Sequence, residues 1–235
     1  MRAREFGGAA RALVATCLVV SAAGCAATKQ APVETKGMCG FLGADCARLT
    51  PGKDGQAAMR YVNPNAQWTQ YNKIIVEPVT FWGTDQTSVS AEDQQKLTSY
   101  FYGVLTKDLG QKFKIVDHAE PGTMRLQVAL TDVSGATPGL RTISTVVPQL
   151  RLLNTLQSAA TGSYVFAGGA QVEAKVTDAT TGQLLSEAVD RRLGAGSLKA
   201  AAQWEWGDVE NAMDAWAKQA ADRLSSWTSG AATPQ

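Results

Sequence analysis

Few side chains in this chain of 235 residues have chemistry to offer: four cysteines, at positions 17, 25, 39 and 46, and one histidine, His118. A histidine works as a general base only when a second group orients it and a third uses it. His118 sits beside Asp117 and Glu120 after a short apolar run, and no serine stands in a Gly-x-Ser-x-Gly setting to accompany it. A solvated turn histidine fits that context, and a zinc site built on two or three histidines is excluded by the count. Glu187 and Asp190 are a formal carboxylate pair of a kind that surface strands carry routinely. Gly168-Gly169 lacks the spacing of a phosphate loop, there is no Walker lysine, and glycines there more readily bend a strand. No catalytic group, metal or cofactor is therefore expected.

The cysteines say more. Arg2, Arg4 and Arg11 precede the apolar run Ala12 to Val20, and Ser21-Ala22-Ala23-Gly24 leads into Cys25. A basic front, a short apolar centre and small residues before a cleavage point are the three parts of a secretory signal. The run is too short to cross a bilayer as a mature helix. The small residues before Cys25 resemble a lipobox, with Ala22 where leucine is most usual. This assigns residues 1–24 to a lipoprotein signal peptide and Cys25 to lipidation by diacylglyceryl and palmitate-type chains, the alternative being an ordinary signal followed by an incidental cysteine. Two or three acyl chains anchor a protein where one is marginal. Ala26 stands where an aspartate is associated with inner-membrane retention, which favours the outer membrane with the domain facing the periplasm.

Cleavage removes Cys17, and lipid consumes Cys25, leaving Cys39 and Cys46. In an oxidising compartment such a pair reads as a disulfide rather than a metal site. Two separately buried thiols remain the alternative. Removing Arg2, Arg4, Arg11 and Glu5 from 22 basic and 21 acidic residues leaves a net charge of −1, which provides no field for holding nucleic acid.

These residues need a frame. Ala26 to about Lys36 is small, polar or proline and reads as a tether over residues 25–36. Gly37 to Gly55 reads as an ordered loop stapled by the disulfide. Ile74-Ile75-Val76 with Val79 and Phe81, broken by Pro78, reads as the strand that opens the sheet. Ser90 three residues before Asp93 has capping-box spacing, and Leu97, Phe101, Val104, Leu105 and Leu109 follow at helical intervals up to Gly110. A short strand around Ile115 comes next, then Met124 to Val133, with Met124, Leu126, Val128 and Leu130 facing a core and Arg125, Gln127, Ala129 and Thr131 facing water. Ala170 to Asp178 alternates likewise, Val172, Ala174 and Val176 against Gln171, Glu173 and Lys175, and a turn with Gly182 leads into Gln183 to Arg192 as a hairpin. Asp208 can cap a last helix with Val209, Met213, Trp216, Ala220, Leu224 and Trp227 on one stripe. The class is α+β, a mostly antiparallel sheet with helices packed on one face, forming one periplasmic domain over residues 37–228 and leaving residues 229–235 as a disordered tail.

The connection between Val133 and Val172 stands apart. It holds no Asp or Glu, only Arg141 and Arg151 as charges, and carries Leu150, Leu153, Leu156, Tyr164 and Phe166 among its apolar residues. A connection this long is commonly functional. Either it is a buried helix filling the far side of the sheet, or Arg141, Leu150, Leu153, Leu156, Tyr164 and Phe166 meet a partner, another copy or a lipid surface. Trp204 and Trp206 read as core or a helix-entry staple before a sugar platform.

In order, "CGFLGADCARLTPG" from Cys39, "YNKIIVEPVTFW" from Tyr71, "MRLQVALTDV" from Met124, "GGAQVEAKVTDATTGQLLSEAVDRRLG" from Gly168 and "WGDVENAMDAWA" from Trp206 resemble the lipoproteins of the domain of unknown function 3313 family. The likeness covers nearly all of the mature domain. It departs at Cys39 and Cys46, where a serine and an aromatic residue are expected, so the disulfide is a local feature. The resemblance implies an envelope location and no assigned activity. The first expectation is a non-catalytic lipoprotein that binds an envelope protein or itself, with no nucleic-acid partner; the second is a binding module for a small apolar ligand or glycan.

Overall fold

The computed structural model describes residues 28–34, 38–83, 88–135, 168–194 and 206–233. Three long strands form the centre: β7 (Thr123–Ser134), β8 (Gly169–Asp178) and β9 (Leu184–Gly194), paired antiparallel in chain order. The β8–β9 turn has Gly182 at φ +75°, a conformation that costs glycine nothing. On the far side of β7 lie β4 (Lys73–Val76) and β5 (Thr80–Phe81), both parallel to it, and β6 (Lys114–Ile115) runs parallel to β4. Pro78 falls in the gap between β4 and β5, where its missing N–H is not needed. The sheet is thus antiparallel with a short parallel edge.

The strand at Ile74 does not open the sheet. Three strands precede it: β1 (Thr28–Gln30), β2 (Thr50–Pro51) and β3 (Met59–Val62). β1 and β3 both pair antiparallel with β9, β1 against its C-terminal part and β3 against its N-terminal part, and β2 pairs with β3. The expected tether is therefore partly sheet. Thr28 and Ala31 are buried, and Ala31 N donates to Arg191 O at 2.9 Å. Alternation was absent from so short and polar a stretch, and edge pairing through the backbone requires none.

Helix α1 (Ala91–Gly110) begins as its spacing requires: Ser90 Oγ accepts from Asp93 N at 3.1 Å. Its stripe Leu97, Phe101, Leu105 and Leu109 is buried, each such side chain contributing roughly 1.5–3 kcal/mol by area. Helix α2 (Gly207–Thr228) buries Val209, Met213, Trp216, Leu224 and Trp227, with Ala212, Ala217 and Ala221 where it meets its neighbours closely. Asp208 is not its cap. Trp206 holds that position, and Asp208, fully buried in the first turn, accepts from Gly168 N at 2.9 Å and lies against Gly194. It ties the start of β8 to the helix. After α2, Gly230 at φ +73° turns the chain back, with Gly230 N donating to Trp227 O and Ala232 N to Ser226 O, so the tail is ordered at least this far.

Both helices pack against each other and against one sheet face. The other face is not wet. Gln171, Glu173, Ala129 and Thr131, expected in water, are buried. Residues 38–49, including a 3₁₀ turn at Gly43–Arg48, cover that face, and Leu42, Cys46 and Val189 make a second small core there with Met59 and Phe41 packed around it.

Candidate functional site

Along one side of the sheet the register lines up Val128, Ala174, Ala188 and Arg60 in a row across β7, β8, β9 and β3. The row faces α2, which presents Ala220 between Trp216, Leu224 and Trp227. Three alanines meeting where larger side chains would interdigitate leave a gap in an otherwise close-packed layer. It is a cavity of about 150 Å³, walled by Phe101 and Leu105 of α1, the valines of β7 and β8, and the three α2 residues. Its volume suits a group the size of benzene.

The row ends in charge. Arg60 lies at the cavity rim together with Gln56, Gln219 and Arg223. Arg60 Nη1 donates to Gln56 Oε1 at 3.2 Å, while its Nη2 is buried with no hydrogen-bond partner. Arg223 donates to Gly55 O at 2.8 Å, and Gln219 Nε2 to the same oxygen at 2.9 Å, latching the β2–β3 turn to α2. Burial and the neighbouring positive charge of Arg223 both lower the pKa of Arg60. Among the described residues neither guanidinium has a carboxylate within 4 Å.

Asp190 forms the inner wall beside this rim and is already satisfied. Its carboxylate accepts from Trp216 Nε1 at 2.7 Å, from Ala58 N at 2.9 Å and from Gln30 Nε2, with Arg192 Nε at 3.4 Å. One buried carboxylate thus binds β1, the β2–β3 turn and α2 to β9.

On the opposite face, Cys39 and Cys46 are bridged, their Cα atoms 5.6 Å apart. Glu173 accepts from Cys39 N at 2.7 Å, Leu42 N at 3.0 Å and Phe41 N at 3.2 Å, which fixes the stapled loop to β8. Gln171 exchanges bonds with the backbone of Glu34. Glu187, beneath the same loop, is 2% exposed and neither of its carboxylate oxygens has a donor. It is pushed up to about 6, first by burial and then by the charge of Asp45.

The carboxylates of Glu187 and Asp190 are not brought together, because an odd spacing on a regular stretch of strand sends them to opposite faces. His118 is exposed and pairs with Asp117 at 2.7 Å. Trp206 is buried, as core. Cys25, Trp204 and the residues Arg141, Leu150, Leu153, Leu156, Tyr164 and Phe166 lie outside the described residues. Sequence reasoning missed Arg60 and Arg223, and named Asp190 only as half of a formal pair with Glu187. Alternation had placed Ala174 on the core face, but nothing in one dimension reveals that Ala188 and Ala220 meet it.

The chain is 24% identical over 184 residues to the uncharacterized lipoprotein YdcL of Escherichia coli K12, covering 77% of this chain and 79% of the relative. Among solved structures it is similar to the hypothetical protein CT253 of Chlamydia trachomatis, with a TM-score of 0.41, 10% identity and coverage of 68% of this chain and 99% of that one. It is also similar to XCC0632 of Xanthomonas campestris, from family DUF330, with a TM-score of 0.39, 12% identity and coverage of 73% and 96%. A family model described as protein of unknown function (DUF3313) matches residues 39–220, which takes in the stapled loop, α1, every long strand and α2 as far as Ala220. The chain belongs to the DUF3313 family.

Proposed function

We propose that this protein is a lipid-anchored outer-membrane lipoprotein facing the periplasm, held through Cys25, that acts by binding rather than catalysis and takes a small apolar group into the cavity between α2 and the sheet. The signal-like N-terminus and the lipoprotein relative support the anchor. The observation that carries the binding reading is the cavity itself: small side chains from three elements leave room where the rest of the layer is filled. The test uses the full chain with Cys25→Ser, which avoids competition from its own lipid. Benzene in aqueous solution is expected to raise its Tm by a few degrees, and Ala220→Leu, which fills the space, to abolish that rise. A Tm indifferent to benzene removes the ligand reading.

A second reading, placed first on sequence alone, is a protein contact in envelope assembly or maintenance through the acid-free connection. Its support is positional. Ser134 pairs with Gly169, Gly169 with Leu193, and Thr28 with Gly194. The described ends on either side of residues 136–167 therefore lie at the end of the sheet where the chain arrives from Cys25. In-cell crosslinking from Arg141, Leu150 and Tyr164, read by mass spectrometry, should capture one defined envelope protein; adducts to lipid alone would redirect the reading to a membrane contact.

A further inference from the structure

We propose that the occupant of this cavity is a single-chain anionic amphiphile, its hydrocarbon end among Ala174, Ala188 and Ala220 and its carboxylate or phosphate head on Arg60 and Arg223. The inference rests on the ligand reading above and adds the charge. It follows from the row that crosses the sheet: apolar at Val128, small at Ala174 and Ala188, cationic at Arg60. A ligand that fills the gap and leaves by the rim must pass the two arginines.

Three observations say that the rim is waiting for negative charge. Arg60 and Arg223 lie on the same rim, and each lacks an acidic partner among the described residues. Two neighbouring guanidiniums repel unless an anion sits between them. Arg60 Nη2 is buried and donates to nothing, a cost that an oxygen at the rim would relieve. Asp190, which lines the same cavity, does not supply that oxygen, because Trp216, Ala58 and Gln30 donate to its carboxylate and Arg192 lies beside it. A guanidinium pair also suits both carboxylate and phosphate heads, since its planar donors match either.

The experiment compares octanoate, octyl phosphate and octanol, each below its aggregation concentration, by calorimetry on the Cys25→Ser full chain, with benzene as the neutral control. Octanoate and octyl phosphate should bind about tenfold or more tightly than octanol, and weaken with added salt. The ratio between the two anions assigns the head as carboxylate or phosphate. Arg223→Gln should cut anion affinity about fivefold or more and octanol affinity by much less. Should Arg60→Gln disturb folding, Arg223→Gln, whose side chain hydrogen-bonds Gly55 O alone among the described residues, still decides. Equal affinity for octanol and octanoate, or anion binding indifferent to Arg223→Gln, overturns the amphiphile and leaves the cavity reading standing. Failure of benzene and every octyl compound overturns both.

Discussion

The indole Nε1 of Trp216 donates to Oδ2 of Asp190 across 2.7 Å, joining the middle of α2 to β9 at the wall of the cavity. Because the acceptor is charged and 2% exposed, the bond is worth more than an ordinary one. Trp216→Phe should destabilise by about 2 kcal/mol. Asp190→Ala should cost about 4 kcal/mol, since it leaves Ala58 N and the indole without their acceptor and Arg192 without its counter-charge. Urea unfolding midpoints measure both.

The loop over the second sheet face is held at two points of different chemistry. Reducing Cys39–Cys46 should cost about 2.5 kcal/mol in the chain-entropy model. Glu173→Gln, which keeps one acceptor oxygen and turns an amide toward backbone N–H groups, should cost about 2 kcal/mol. Amide exchange at Cys39, Phe41 and Leu42 should accelerate in the Gln variant even with the bridge intact; unchanged exchange there would show that Glu173 does not hold the loop.

Glu187 makes the fold prefer acid over part of its range. Its carboxyl is raised from an ordinary 4.5 to about 6 by burial, so between these values the folded state binds more proton than the unfolded one. The stabilisation is complete below the unfolded value and is lost as pH rises through the folded one. Glu187→Gln should therefore be near neutral at pH 4 and stabilising by about 2 kcal/mol at pH 7.5, read from thermal unfolding at both pH values.

Gly169 is required for close approach rather than for its backbone freedom. A Cβ there would stand 2.3 Å from Leu193 Cδ2 and 2.7 Å from Arg192 O. The leucine tip can move but the carbonyl cannot. Gly169→Ala should cost about 2 kcal/mol and be visible as a lowered Tm.

Much of the architecture was legible because it rests on periodicity and caps: Ser90 and the stripe after it, the hairpin through Gly182, and Trp216 with Trp227 on α2. What was not legible depends on which surfaces meet. Glu173 and Gln171 alternate as wet residues should, and only the arrival of Phe41 and Leu42 from far along the chain dries them. Thr28–Gln30 is polar and short, so its pairing with β9 left no pattern to read. The cavity is a coincidence of Ala174, Ala188 and Ala220, each of which is unremarkable in its own element.

The docking of β1 sets a height. On the proposed anchor only Ala26 and Ala27 separate Cys25 from Thr28, and three residue steps span at most about 11 Å of extended chain. A domain so moored would not swing away from the bilayer unless Thr28–Gln30 first peeled off β9, and the proposed ligand would have to be taken up within reach of the headgroups.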